Sequence, residues 1–269
     1  MTQQQVAVGD RWGVAEPYER YVGRWSRPVA TEFLRWLDVK PGAAWADIGC
    51  GTGALTQIIL RDTRPHAIHG IDKAQGFVDY AAAHVTEARV RFDVADATLL
   101  PLADASCDAA VSGLVLNFVD QPGAMVAEMA RVTRPGGQVA AYVWDYADGM
   151  QMMRRFWDAA VATCGAANVP DEASRFPLCA PEPLRTLWGG TGLSGVEVRA
   201  IEVPTPFSNF DDYWQPFLGR QGAAPTWLAG LPQDRQEEIR SLLHRELPIA
   251  PDGSIHLTAS AWAVRGIRN

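Results

Sequence analysis

Three glycines at alternate positions, Gly49, Gly51 and Gly53, follow a short apolar run carrying one acid, in the text A-A-W-A-D-I-G-C-G-T-G-A-L from Ala43 to Leu55. The order is strand, glycine turn, helix. Glycine tolerates positive φ where a chain reverses, and without a Cβ it lets a ligand touch the backbone. The helix from Ala54 presents unpaired N–H groups and the positive end of its dipole to a polar or anionic ligand group. The spacing is G-x-G-x-G, not the G-x-G-x-x-G of the dinucleotide fingerprint. Two further acids stand where strands should end. Asp72 closes the apolar run Ala67–Ile71, and an acid at the tip of a second strand accepts ribose hydroxyls in nucleotide-binding α/β folds. The same residue is also placed to cap a helix over Ala74–His84. Asp96 follows Val90–Val94 and could accept a hydrogen bond from the exocyclic amine of a base. The apolar loop Leu99-Leu100-Pro101-Leu102 would cover one face of that base.

These residues need a frame that brings strand tips together. Five strands, Ala43–Ile48, Ala67–Ile71, Val90–Val94, Ala109–Ser112 and Gln138–Trp144, alternate with helical segments. That alternation specifies a parallel, doubly wound sheet, and right-handed crossovers put all the loops in question on one edge. A helix beginning at Asp120, Gln121 or Pro122 places Met125, Met129 and Val132 on one core-facing side. Arg134-Pro135-Gly136-Gly137 reads as a tight turn after it. Upstream, Ser26 is the predicted cap of a helix with Pro28 in its first turn, and Val29, Phe33, Leu34 and Leu37 recur at helical spacing. Ahead of that cap lies a cluster, Tyr18, Tyr21, Arg24, Trp25 and Arg27. It reads either as rings packed on the core or as a lid over the glycine corner, where a guanidinium would pair with a ligand carboxylate.

Composition bounds the rest. The 269 residues carry 48% apolar and 20% charged side chains and a formal net charge of −7. A nucleic-acid surface would need a basic excess, so no nucleic-acid partner is expected. The cysteines Cys50, Cys107, Cys164 and Cys179 form no C-x-x-C pair and have no histidine at metal-ligand spacing, so neither a metal site nor a disulfide framework is expected. The N-terminus lacks a basic and an apolar region, and no apolar run reaches the roughly 18 residues of a membrane span. A cytoplasmic protein with no membrane partner is the expectation; oligomeric state is not legible.

Taken together, W-A-D-I-G-C-G-T-G at Trp45–Gly53, Asp72 after strand two, V-A-D-A at Val94–Ala97 and R-V-T-R-P-G-G at Arg131–Gly137 resemble the class I S-adenosylmethionine-dependent methyltransferases, in particular their small-molecule, type-11-like branch. The resemblance spans roughly residues 16 to 146. It implies a Rossmann-like α/β fold with a mostly parallel seven-stranded sheet: strand six at Val196–Val203, and a last strand, Ile255–Val264, entering antiparallel between strands five and six. It implies S-adenosylmethionine as cofactor, with Gly49, Cys50, Gly51 and Gly53 at its methionine part and Asp47 ordering the turn behind them. Asp72 and Lys73 would lie at the ribose, Asp96 and the Ala97 amide at the adenine, and Ser112 under the sulfonium. Arg24 and Trp25 would close over the cofactor. Tyr21, Asn117, Trp144, Tyr146, Tyr213 and Trp214 would line the acceptor pocket, with Asn117 and Tyr21 as positioning candidates. Asn117 replaces a histidine common after strand four in related enzymes, and no general base is assigned.

One structural domain is expected. It divides into an N-terminal lid and helix at 1–40, a cofactor-binding core at 41–146, and a remainder at 147–269 with helical cap insertions at 150–192 and 205–254. The implied activity is methyl transfer to a small, partly apolar acceptor by in-line displacement. The alternatives are a nicotinamide-dependent oxidoreductase, which the strand-two acid suits but the glycine spacing does not, and a non-catalytic partner protein on the same fold.

Overall fold

A computed structural model of the chain describes residues 23–219 and 222–269. Seven strands form one sheet in the order β3-β2-β1-β4-β5-β7-β6. They are β1 Ala44–Ile48, β2 Ala67–Asp72, β3 Val90–Val94, β4 Cys107–Gly113, β5 Thr133–Trp144, β6 Ser194–Phe207 and β7 Ile255–Ile267. The first five are mutually parallel, and β7 runs antiparallel between β5 and β6, as the resemblance implies. The interior strand β1 is nearly sealed, with Trp45, Ala46, Asp47 and Ile48 buried. A strand with helices over both faces reads as a continuous apolar run. The chain departs from β1 toward β2 on one side and returns at β4 on the other, and such a reversal opens a crevice at the carboxyl ends of the strands.

The helices are α1 Arg24–Leu37, α2 Ala54–Thr63, α3 Gln75–His84, α4 Pro122–Val132, α5 Gln151–Cys164, α6 Glu172–Arg175, α7 Pro181–Gly189, α8 Phe210–Trp214, α9 Ala223–Ala229 and α10 Gln233–Glu246. Met125, Met129 and Val132 of α4 are buried, as their spacing predicts. In α10, Ile239 and Leu243 face inward. None of these helices is long and apolar enough to cross a membrane.

Three local expectations are corrected. Helix α1 begins at Arg24, not after Ser26, and no side chain caps it. Pro28 lies one turn in, where the N–H it lacks forfeits the bond to the Arg24 carbonyl. The Arg134–Gly137 segment does not end at a turn. It is an irregularity inside β5, where the pairing jumps from Cys107↔Thr133 to Ala109↔Gln138 and the Gly136 N–H donates to the Arg268 carbonyl at 2.8 Å. Strand β6 is longer than its expected span because Ile201, Val203, Thr205 and Phe207 alternate inward. Pro204 and Pro206 fit within it because β6 is the sheet's edge, where a missing N–H breaks no ladder bond.

The second insertion leaves the sheet after Phe207 and re-enters opposite it at Ile255. Its helix α8 is capped by Asn209, which accepts the Asp212 N–H at 2.9 Å, while Asp212 accepts from the Ser208 N–H. Asn209 and Asp212 thus form the capping pair at the start of α8. The cap is cemented by rings: Phe156 stacks on Phe217 at 4.4 Å, Trp157 meets Trp227 at 5.5 Å, and the Tyr213 hydroxyl donates to the Met152 carbonyl at 2.9 Å. On the other side of the sheet's late strands, the fully buried Trp188 of α7 donates its indole N–H to the Val139 carbonyl at 3.0 Å. Replacing Trp188 by Phe is expected to lower the unfolding free energy by about 1–2 kcal/mol in a urea titration, the scale of one buried hydrogen bond.

Candidate functional site

The tips of β1, β2, β3 and β4 surround one cavity of about 450 Å³ that extends under the cap, within the roughly 300–1,000 Å³ usual for small-molecule sites. The glycine turn forms its inner end. The N–H groups of Gly49 and Cys50 both donate to the Ile71 carbonyl, at 2.7 and 3.0 Å, and so tie the turn to β2. Gly49 has φ 73°, and a Cβ there would lie 2.6 Å from both γ-carbons of Val115. Gly51 differs: its φ is 52°, and a Cβ would meet no protein atom within 4 Å. It leaves bare backbone beside the cavity it lines.

The three acids behave differently. The Asp72 carboxylate accepts the Gly51 N–H at 3.0 Å on one oxygen and the Ala74 N–H at 2.8 Å on the other. It is oriented before any ligand arrives, and each oxygen keeps a further acceptor position. Burial raises its pKa, opposed by those backbone N–H groups and by Lys73. Asp96 lies at the open end, and the Thr98 hydroxyl and N–H on Oδ1 hold its pKa low. Asp47 is fully buried. Oδ2 accepts the Thr56 hydroxyl at 2.6 Å, Oδ1 has no partner, and burial with the nearby Asp72 charge raises its pKa to about 7.

Of the residues singled out from the sequence, Asp47, Gly49, Cys50, Gly51, Asp72, Lys73, Asp96, Ala97, Trp144 and Tyr146 line this cavity. Others are placed elsewhere among the described residues. Gly53 (φ 84°) caps α2 and packs toward Ala81 and Val85. Arg24 and Trp25 form the first turn of α1, which packs against α2 and β6; neither lines the cavity, although Ser26 of the same turn does. The Arg24 guanidinium pairs with Asp212 at 2.7 Å and sits over the rings of Trp25 and Phe207. Ser112 is one residue short of the β4 tip and buried, while Gly113 takes the lining position. Asn117 has neither amide atom bonded nor exposed to solvent, whereas its neighbours Val115, Phe118 and Val119 line the cavity. Tyr213 and Trp214 are consumed in cap packing. Tyr18 and Tyr21 lie outside the described residues. The Leu99–Leu102 loop is not part of the lining, and Leu99 is 76% exposed.

The sequence reading missed the cap wall: Tyr142, Met153, Glu172 and Phe176, joined there by Phe118 and Val119. Tyr142 had a signal, since it shares a sheet face with Trp144 two residues on. Glu172 had none. The described residues hold no group of three or more His, Cys, Asp or Glu side chains that could bind a metal ion.

Fold and site together define an α/β nucleotide-binding protein of the doubly wound class, with bare glycine backbone and strand-tip acids at one edge. Residues 46–141, a little over a third of the chain, match the family described as methyltransferase domain, and this stretch is similar to the class I S-adenosylmethionine-dependent methyltransferases. The malonyl-[acyl-carrier protein] O-methyltransferase of Hahella chejuensis is 34% identical over 137 residues, 44% of this chain and 49% of that protein. The tRNA (carboxymethyluridine(34)-5-O)-methyltransferase ALKBH8 of Macaca fascicularis is 31% identical over 49% of this chain and 20% of its own length. The matched stretch thus spans half or less of each of these relatives. Among solved structures, Haemonchus contortus phosphoethanolamine N-methyltransferase 2, with phosphomonomethylethanolamine and S-adenosylhomocysteine bound, shares the fold with a TM-score of 0.57. That pair is 18% identical over 94% of this chain and 56% of the other.

The cofactor of this class, S-adenosylmethionine, fits the residues present. The backbone at Gly51 is open to approach, Asp72 is pre-oriented, Asp96 Oδ2 is not engaged by any described residue, and Asp47 keeps a buried, unbonded oxygen at the same corner.

Proposed function

We propose that the chain transfers a methyl group from S-adenosylmethionine to a small, partly apolar acceptor. The observation that carries this reading is the continuity of one cavity, from the Gly49–Gly51 turn, Asp72 and Asp96 at one end to Trp144, Tyr146, Met153 and Phe176 at the other. A donor held by the first set would present its reacting end toward the second. When bound, S-adenosylmethionine supplies a methyl on a sulfonium that is already electrophilic.

The protein's residues then have the work of binding, alignment and exclusion of water. Asp72 would accept the ribose hydroxyls and Asp96 the adenine amine, with Lys73 and the Ala97 amide beside them. The bare backbone at Gly49 and Gly51 would receive the methionine part. Trp144, Tyr146, Phe176 and Met153 would hold the apolar body of the acceptor in line and keep water out. Alignment of this kind can lower a barrier by several kcal/mol without an acid or base. The net charge of −7 favours a small acceptor over a nucleic acid.

The test is calorimetric titration with S-adenosylhomocysteine followed by turnover of methyl-labelled S-adenosylmethionine against an acceptor panel. Binding with transfer supports the reading. Stabilisation by NADH but not by S-adenosylhomocysteine would replace it with the oxidoreductase alternative, and binding without any transfer with the partner-protein alternative. In the same titration, Asp72→Ala is expected to weaken S-adenosylhomocysteine by about 1–3 kcal/mol, roughly 5- to 150-fold, through loss of a buried acceptor that also steadies Gly51. Unchanged affinity would remove Asp72 from the site.

A further inference from the structure

The cap wall of the cavity contains one carboxyl that the methyl-transfer chemistry does not use. Glu172, the first residue of α6, is only 4% exposed and lines the cavity beside Phe176. Its one side-chain donor is the indole N–H of Trp157, on Oε2. Its own backbone N–H also reaches the carboxylate; with about four acceptor positions in all, about half remain for a ligand. No ion pair joins it to any described residue: Arg154 is taken by Asp171 at 2.7 Å and by Asp158 at 3.0 Å. Burial raises its pKa to about 7, with Asp171 adding to the effect and its own backbone N–H, Trp157 and Arg175 opposing it. A carboxyl removed from water without a cation is costly, and a matching charge supplied by a ligand relieves that cost.

The surroundings select the ligand's chemistry. Phe176 meets Phe118 edge-on at 5.1 Å and Tyr146 at 5.4 Å, and Trp144 lies in the same lining. Aromatic faces favour a cation. Among the described lining residues the acids are Asp47, Asp72, Asp96, Asp120 and Glu172, against a single base, Lys73, which follows Asp72 at the cofactor end. Among the described residues the cation nearest this wall is Arg175, whose guanidinium lies over the Phe176 ring at 5.0 Å and is not part of the lining.

We propose that Glu172 anchors a basic nitrogen of the acceptor, which makes the substrate class a small amine with an apolar or aromatic body. The proposal rests on the methyl-transfer reading and deepens it. It also separates this site from one built for a free carboxylate, which would require a cation where Glu172 stands.

The experiment uses the full chain saturated with S-adenosylhomocysteine at pH 8, titrated calorimetrically with phenethylamine, 2-phenylethanol and 3-phenylpropionate, three probes alike in their ring but different in their polar end. The amine is expected to bind at least tenfold more tightly than the alcohol, and the carboxylate weakest. In Glu172→Gln, which keeps an acceptor for Trp157, the advantage of amine over alcohol should vanish while S-adenosylhomocysteine affinity stays within twofold. Equal binding of amine and alcohol to the wild type, tightest binding of the carboxylate, or no amine binding overturns the proposal, and these wild-type comparisons stand whether or not the variant folds. An amine advantage that survives in Glu172→Gln also overturns it. Failure of S-adenosylhomocysteine itself to bind is a different result: it overturns the methyl-transfer reading, and the amine proposal with it.

Discussion

Gly51→Ala is expected to leave the chain folded and nearly empty its cofactor site, whereas Gly49→Ala is expected to damage the fold itself. The two glycines are two residues apart in one turn and both have positive φ, 52° and 73°. An L-residue there costs about 1–2 kcal/mol in either case. They differ in what the added methyl would meet. At Gly51 it meets no protein atom within 4 Å, so the backbone strain is the whole stability cost. The methyl instead occupies the face the cofactor must approach, and S-adenosylhomocysteine affinity is expected to drop by roughly 100-fold, about 2.7 kcal/mol. At Gly49 it lies 2.6 Å from both γ-carbons of Val115 and 2.8 Å from its Cβ. A β-branched side chain is stiff about χ1 and cannot turn both branches away. Overpacking of this kind adds about 1–3 kcal/mol, for a total near 2–5 kcal/mol. Urea denaturation of the ligand-free variants separates the two effects. The pair Gly49→Ala/Val115→Ala should recover most of the overpacking share and none of the φ strain. If Gly51→Ala binds normally, the cofactor does not rest on that backbone; if Gly49→Ala costs no more than Gly51→Ala, Val115 yields more readily than its position indicates.

The contrast shows what sequence could and could not carry. The glycine turn, Asp72 and Asp96 were legible because strand tips in a doubly wound sheet share one edge by topology, so three short motifs far apart in sequence predict one place. The sequence alone did not reveal why each glycine is a glycine. Gly113 is another case: a Cβ there would lie 2.5 Å from the Tyr142 hydroxyl, and that pairing exists only once β4 and β5 are in register. Arg24 and Trp25 looked like a lid because rings beside guanidinium groups are common at ligand sites. In the structure Arg24 is held by Asp212 and by the ring of Phe207 at the end of β6, an edge strand obscured in sequence by Pro204 and Pro206, while Ser26 beside them does line the cavity. Glu172 was invisible for a different reason. It sits in the polar run Asp171-Glu172-Ala173-Ser174-Arg175, which locally reads as a solvated turn. It is buried because α5 brings Trp157 over it, a long-range event with no local periodicity. Binding and catalytic side chains on loops between sheet and cap are the least predictable part of such a fold for this reason.

Asp47 and Glu172 also make a joint prediction about stability. Both are buried carboxyls with pKa values raised to about 7, against ordinary values of 3.8 and 4.5. The folded protein therefore holds protons on them that the unfolded chain has released. Between about pH 4 and 7 the folded state binds more protons, so stability falls as pH rises through that window and levels off above it. For Asp47 alone, the interval from 3.8 to about 7 corresponds to on the order of 4 kcal/mol. The carboxyls with depressed values, among them Glu128 and Asp212, act in the opposite sense, but chiefly at and below the ordinary carboxyl range, so a comparison of pH 5 with pH 7.5 reads the raised carboxyls, Asp47 and Glu172 together with Asp72, which burial shifts in the same direction. Ligand-free wild-type protein is expected to be more stable to urea at pH 5 than at pH 7.5. Asp47→Asn, whose amide oxygen can still accept from Thr56, should lose the larger part of that slope and exceed the wild type in stability at pH 7.5. Adding Glu172→Gln should remove most of the remainder and leave the share of Asp72. A wild-type stability that is flat or rises across this interval would mean that both carboxyls are ionised in the folded chain with compensation from the surrounding dipoles. Asp47 would then be a permanent charge at the cofactor corner instead of one that ionises near neutrality.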